Sequence, residues 1–159
     1  MQTIGRWGRV AAIAALLAPV IAGANEFSGE KVVPMSKDGI VAVGLEVGPV
    51  VFQEILVQGA PSDPEAIAAL PGGKKVSPRA SVVATHRGHD EVLMKIGLTF
   101  QDDAGVVYLR CSRELLEQDE DTTNEVSRAC DSLSPRSLPA ADWAKVTAVR
   151  LVVSLVETD

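Results

Sequence analysis

Aromatic side chains are scarce in this chain, and that scarcity excludes several functions at once. Beyond residue 24 there are only Phe27, Phe52, Phe100, Tyr108 and Trp143, too few for a sugar-stacking platform or a face on which bases stack. Cysteine is almost absent: Cys111 and Cys130 are the only pair, and without further His or Cys nearby they do not form a tetrahedral zinc site. Histidine is limited to His86 and His89. A Ser-His-Asp site would have to use one of them, and the Gly-x-Ser-x-Gly elbow that presents such a serine does not occur. Phosphate-cradling glycine loops are also missing, since Gly72-Gly73-Lys74-Lys75 has neither the spacing nor the strand-to-helix context of one. Positive charge is in deficit, with 15 Lys and Arg against 21 Asp and Glu, so nucleic acid and anionic membranes are poor partners. Internal repeats and long low-complexity tracts are absent too.

One uncharged, mostly apolar run stands out, and it lies at the start. Arg6 and Arg9 precede Val10 to Ala24, which closes on Ala22-Gly23-Ala24. A basic start, an apolar stretch and a small-x-small ending are the three parts of a secretory signal peptide. The run is shorter than the roughly 20 residues a spanning helix needs, Pro19 interrupts it, and no Cys follows for lipid attachment. Cleavage after Ala24 is therefore expected, giving a periplasmic or extracellular protein that begins at Asn25. Removing the leader takes away two cationic residues and no acid, which moves the net charge from −6 to about −8. In an oxidising compartment Cys111 and Cys130 read as a disulfide. Closing a loop of that size contributes about 3 kcal/mol in the chain-entropy view.

The remainder reads as one domain with a short arm, residues 25–37, ahead of a β-domain spanning 38–159. From Ile40 the pattern has period 2: Val41, Val43, Leu45 and Val47 alternate with smaller or polar residues, as in a half-buried strand. Gly48-Pro49 breaks the ladder and Val50 to Val57 follows, either as the rest of one bent strand or as its neighbour. Ser62-Asp63-Pro64-Glu65 has the spacing of a capping box with Ser62 as cap. It opens a helical turn that Pro71-Gly72-Gly73 stops. Ser81 to Thr85 is β-branched and apolar. Val92, Met94, Ile96, Leu98 and Phe100 alternate without a break; Asp102-Asp103-Ala104-Gly105 turns the chain, and Val107, Leu109 and Cys111 return it. Arg113 to Asp131 reads as a polar, acidic loop. Trp143 plugs an end of the domain, and Val149, Leu151, Val153 and Leu155 form a closing strand.

About seven strands with one short helical turn in a connection indicate an all-β, antiparallel two-sheet sandwich, with an open barrel as the alternative. Three features carry a likeness: the hairpin Val92-Leu93-Met94-Lys95-Ile96-Gly97-Leu98-Thr99-Phe100-Gln101-Asp102-Asp103-Ala104-Gly105-Val106-Val107, the long first strand with its Gly48-Pro49 break, and Trp143-Ala144-Lys145-Val146 leading into the last strand. On these the chain resembles a secreted bacterial immunoglobulin-like domain. It departs from antibody domains in that no Trp lies between the two Cys, whose separation is far too short. The resemblance implies adhesion, binding or structural support, and it transfers little about chemistry.

Two clusters merit a functional reading. Thr85-His86-Arg87-Gly88-His89-Asp90-Glu91 holds both histidines at an expected inter-strand turn. His86 and His89 with Asp90 or Glu91 are the candidates for a Zn²⁺ or Cu²⁺ site, set against a solvated turn that Gly88 permits. Glu117, Asp119, Glu120, Asp121 and Glu125 form the acidic cluster. An EF-hand starting at Asp119 would need Gly where Asn124 stands and Glu where Cys130 stands, so that motif fails. The cluster is instead a surface for an envelope or secreted partner with a basic face. The expectation is a non-catalytic interaction or structural module that needs no cofactor, with metal binding at the histidine turn as the alternative.

Overall fold

The computed structural model describes residues 24–88, 90–117, 123–129 and 137–158. Residues 1–23 of the expected leader lie outside them, as do His89, Asp119, Glu120, Asp121 and Cys130. The described chain is all-β and antiparallel. In order it runs β1 (Asn25–Pro34), β2 (Ile40–Val47), β3 (Val50–Gln58), α1 (Pro64–Ala68), β4 (Lys75–Val76) and β5 (Arg79–His86). It continues through β6 (Glu91–Gln101), β7 (Val107–Glu117), β8 (Thr123–Ala129), β9 (Leu138–Pro139), α2 (Ala140–Trp143) and β10 (Ala148–Thr158). One four-stranded sheet has the order β1-β10-β6-β7 and a second has the order β2-β3-β5-β8, with β4 and β9 pairing separately. No helix among the described residues is long and apolar enough to cross a membrane.

Period-2 patterning sets which side chains turn inward. Along β6, Val92, Met94, Ile96, Leu98 and Phe100 are buried, and their partners along β10 are Leu155, Val153, Leu151 and Val149, opposite Met94, Ile96, Leu98 and Phe100 in that order. Val41, Val43 and Val47 of β2, Val50, Phe52 and Ile55 of β3 and Ala80, Val82 and Ala84 of β5 join the same apolar cluster. At about 25 cal/mol per Å² of apolar surface removed from water, this shared core is the main stabilising term. Two charged pairs decorate the outer face of the first sheet, Arg150 with Glu30 and Lys95 with Glu114. Both are exposed, so each contributes little.

Several local expectations need correcting. Residues 25–37 are not an arm: Asn25–Pro34 forms β1, an edge strand in continuous register with β10 from Asn25 opposite Glu157 to Pro34 opposite Ala148. An edge strand buries few side chains, and here only Val33 is fully inward with Phe27 half-buried. The polar stretch after Arg113 is not one long loop, because β7 continues to Glu117 and Thr123–Ala129 forms β8 against β5. Glu117 and Glu125 of the acidic cluster therefore lie on strands. The helical turn is capped by Asp63 rather than Ser62: the Glu65 N–H donates to its carboxylate at 3.1 Å and Pro64 occupies the first helical position.

The Gly48-Pro49 break is a two-residue hairpin turn between β2 and β3, with Val47 opposite Val50. Gly48 has φ 53, and proline beside it holds φ negative. That combination fits a type II′ turn, which places its glycine first. A Cβ at Gly48 would also meet the Phe27 ring at 2.6 Å, so glycine is needed here for two reasons.

The two ends of the core differ in chemistry. At one end Trp143, 1% exposed, meets Phe100 with ring centroids 5.5 Å apart, and its indole N–H donates to the Pro61 carbonyl at 2.7 Å. The buried body and satisfied N–H make it the plug expected from sequence. At the other end the inward row turns polar.

Candidate functional site: the polar end of the core

β5 carries its inward phase through Ala80, Val82 and Ala84 to its last residue, His86. His86 is thus not on a solvated turn. It is 2% exposed, it stands opposite Val50 at the start of β3, and neither ring nitrogen finds a hydrogen-bond partner among the described residues. Buried polar groups normally find partners, which makes this imidazole the most conspicuous polar side chain in the core. Gly88 sits against it: an added Cβ would lie 3.0 Å from the His86 Nε2 and 3.1 Å from Pro49. A side chain there would need His86 or Pro49 to give by a few tenths of an ångström, and Gly88 lacks the positive φ that a glycine-specific turn would show. The Arg87 N–H donates to the Pro49 carbonyl at 2.8 Å and ties the end of β5 to the β2–β3 turn.

From the first sheet, β10 continues its inward phase past Leu155 to Glu157. Glu157 is flanked in the sheet by Asn25 of β1 and Val92 of β6. Its carboxyl shares hydrogen bonds with the Asp90 carboxylate and the Asn25 side chain, and it lies within electrostatic reach of His86. Partial desolvation, then the hydrogen bond to Asp90 and the charge of Asp90, push the Glu157 carboxyl above the ordinary glutamate range; Asn25 and His86 oppose the rise. Two carboxyl groups in contact favour keeping one proton between them. The arrangement can therefore hold a proton or accept a cationic group.

The strand ends bring further acids to this end. Glu91 begins β6 opposite Thr158, Glu117 closes β7 opposite Val92, and Thr123 opens β8 opposite Thr85. Both strands that flank the acidic residues 118–122 thus have an end at this end of the domain, β8 next to the close of β5 and β7 one strand beyond Val92.

Of the residues singled out from sequence, His86 and Asp90 come to one place, and His89 lies outside the described residues. Among the described residues no group of three or more His, Cys, Asp or Glu side chains is disposed to hold a metal ion. Cys111 is half-buried against the core opposite Leu98 of β6, while its expected partner Cys130 lies outside the described residues. Glu157 and Asn25 went unnoticed in the sequence. A signal for Glu157 was present, because the alternation Val149, Leu151, Val153, Leu155 makes residue 157 the next inward position. Compared with known proteins, the chain matches no protein-family model and no curated protein significantly.

Proposed function

We propose that the chain is an exported, non-catalytic interaction module whose acidic end receives a basic segment of another envelope or secreted protein. The observation that carries this reading is the gathering of carboxyl groups at one end of an otherwise aliphatic core: Asp90, Glu91 and Glu157 stand there, with the strand ends that flank residues 118–122. Concentrated negative charge speeds the encounter with a cationic partner and fixes its orientation more than it adds affinity. The rest of the molecule serves as scaffold. On this reading its two sheets face each other as an immunoglobulin-like sandwich, supported by the single apolar cluster to which both contribute. The strand order is its own: β1 pairs with the final strand, whereas antibody domains pair their first two strands. Export and a Cys111–Cys130 staple at the return strand complete the proposal.

The test is capture from an envelope extract by the exported protein, followed by reconstitution with the purified partner. Replacing Asp119, Glu120 and Asp121 with Asn, Gln and Asn is expected to weaken binding at least tenfold at low salt. A partner held equally well by that variant would remove the acidic end from the account.

A further inference from the structure

Where β1 begins coincides with where the leader is expected to end. Asn25 is the first residue of β1 and the first after Ala24, and it stands directly opposite Glu157. Directly opposed residues have Cα atoms about 4.5–5.5 Å apart, and the Asn25 nitrogen is about 1.5 Å from its own Cα. Hydrolysis of the Ala24–Asn25 amide by a leader-removing peptidase consumes one water. It leaves a carboxylate on Ala24 and a free α-amino group on Asn25, which takes up a proton from solvent. A neutral amide thereby becomes an ammonium on the residue that stands opposite Glu157.

We infer that the Asp90–Glu157 carboxyl pair, with His86 behind it, is a seat for the α-ammonium group of a chain that begins at Asn25. The Asn25 side chain already bonds Glu157, so the residue is held at the site before its nitrogen acquires charge. The buried imidazole of His86 supplies a second, independent sign of an unfilled partner, since both its nitrogens lack one among the described residues. Charge balance favours the same occupant. Arg87 is the cationic residue of the adjoining segment and is exposed, whereas Asp90 and Glu157 meet at the position and Glu26 and Glu91 adjoin it along their strands. In the unprocessed chain the Glu157 carboxyl is held above the ordinary glutamate range; in the processed chain the ammonium brings the positive charge that favours its ionised form. Removal of the leader therefore completes the polar end of the fold. This rests on the export reading, and it is independent of which partner the acidic end meets.

The experiment uses the exported protein. Its N-terminus is read by intact mass, and the pKa of its α-amine is read by competitive acetylation across pH, with Glu157→Gln and Asp90→Asn beside the wild type. Far-UV circular dichroism establishes that each variant is folded. The expected result is a start at Asn25 and an α-amine pKa at least about one unit above the usual 7.7–8.0. That is about a tenfold gain in proton affinity, reduced by each variant and lost when both are combined. An α-amine in the ordinary range, or a raised value indifferent to both variants, overturns the seat while leaving the export boundary intact. A mass that starts elsewhere overturns the boundary and the seat together.

Discussion

Trp143 closes the apolar end of the core, and replacing it measures how far that end depends on one side chain. The indole is 1% exposed, packs on Phe100 and donates to the Pro61 carbonyl. Truncating a buried Trp to Ala costs about 3–5 kcal/mol in transfer and cavity terms. The hydrogen bond adds about 1 kcal/mol at the low end of its range, because Pro61 is only half-buried and water can reach its carbonyl. Trp143→Ala should thus lose about 4–6 kcal/mol, a large share of a typical domain's total. Trp143→Phe keeps a ring against Phe100 and gives up the N–H and part of the volume, so about 2 kcal/mol is expected. Urea unfolding of both variants reads these values as shifts in midpoint at unchanged slope. If both variants fall within about 1 kcal/mol of wild type, Trp143 is not a plug and the core closes some other way.

Gly48→Ala should cost about 2 kcal/mol, from its positive φ and from displacement of the Phe27 ring; Gly73→Ala, with a similar φ but open space around it, should cost less, and equal losses would remove the ring contact from the explanation. The Asp102 carboxyl is held below the usual aspartate range, first by the Val106 N–H and further by the Tyr108 hydroxyl and the Ala104 N–H. Its contribution is present above about pH 3.8 and is lost as pH falls through the lowered value, so thermal melts of Asp102→Asn should show a smaller acid-side loss of stability than wild type. Reduction of the exported protein should raise its mass by two hydrogens and lower its stability by about 3 kcal/mol; an unchanged mass would dismiss the Cys111–Cys130 bond.

What the sequence disclosed follows from where side chains had to alternate. β2, β3, β6 and β10 bury one face against a core, so Val41 to Val47 and Val92 to Phe100 advertise their strands in period 2. β1 was illegible because an edge strand can keep Gly29, Glu30 and Lys31 in its middle. Lys31 even reaches across to donate to the Val43 carbonyl at 2.6 Å, a contact that no alternation rule foresees. β8 was hidden because Thr123–Ala129 contains one bulky aliphatic residue, Val126, amid polar neighbours. The site was half legible. His86 and Asp90 drew notice as metal-capable residues at a turn, yet counting phase from Val82 and Ala84 would have turned His86 inward. Glu157 lies far along the chain from Asp90, and only the pairing of β10 with β1 and β6 brings it into the same row as Asn25 and Val92.

The central claim is that the carboxyl-bearing end of the domain is its working surface. Photo-crosslinking in intact envelopes tests it most directly, with the reactive group placed at Glu91 opposite Thr158, at Ser28 on the outer face of β1, and at Lys145 near Trp143. The account predicts one recurrent protein partner linked from position 91, lost in high salt, with background labelling at positions 28 and 145. Labelling of the same partner from position 28 or 145, with none from position 91, would contradict it.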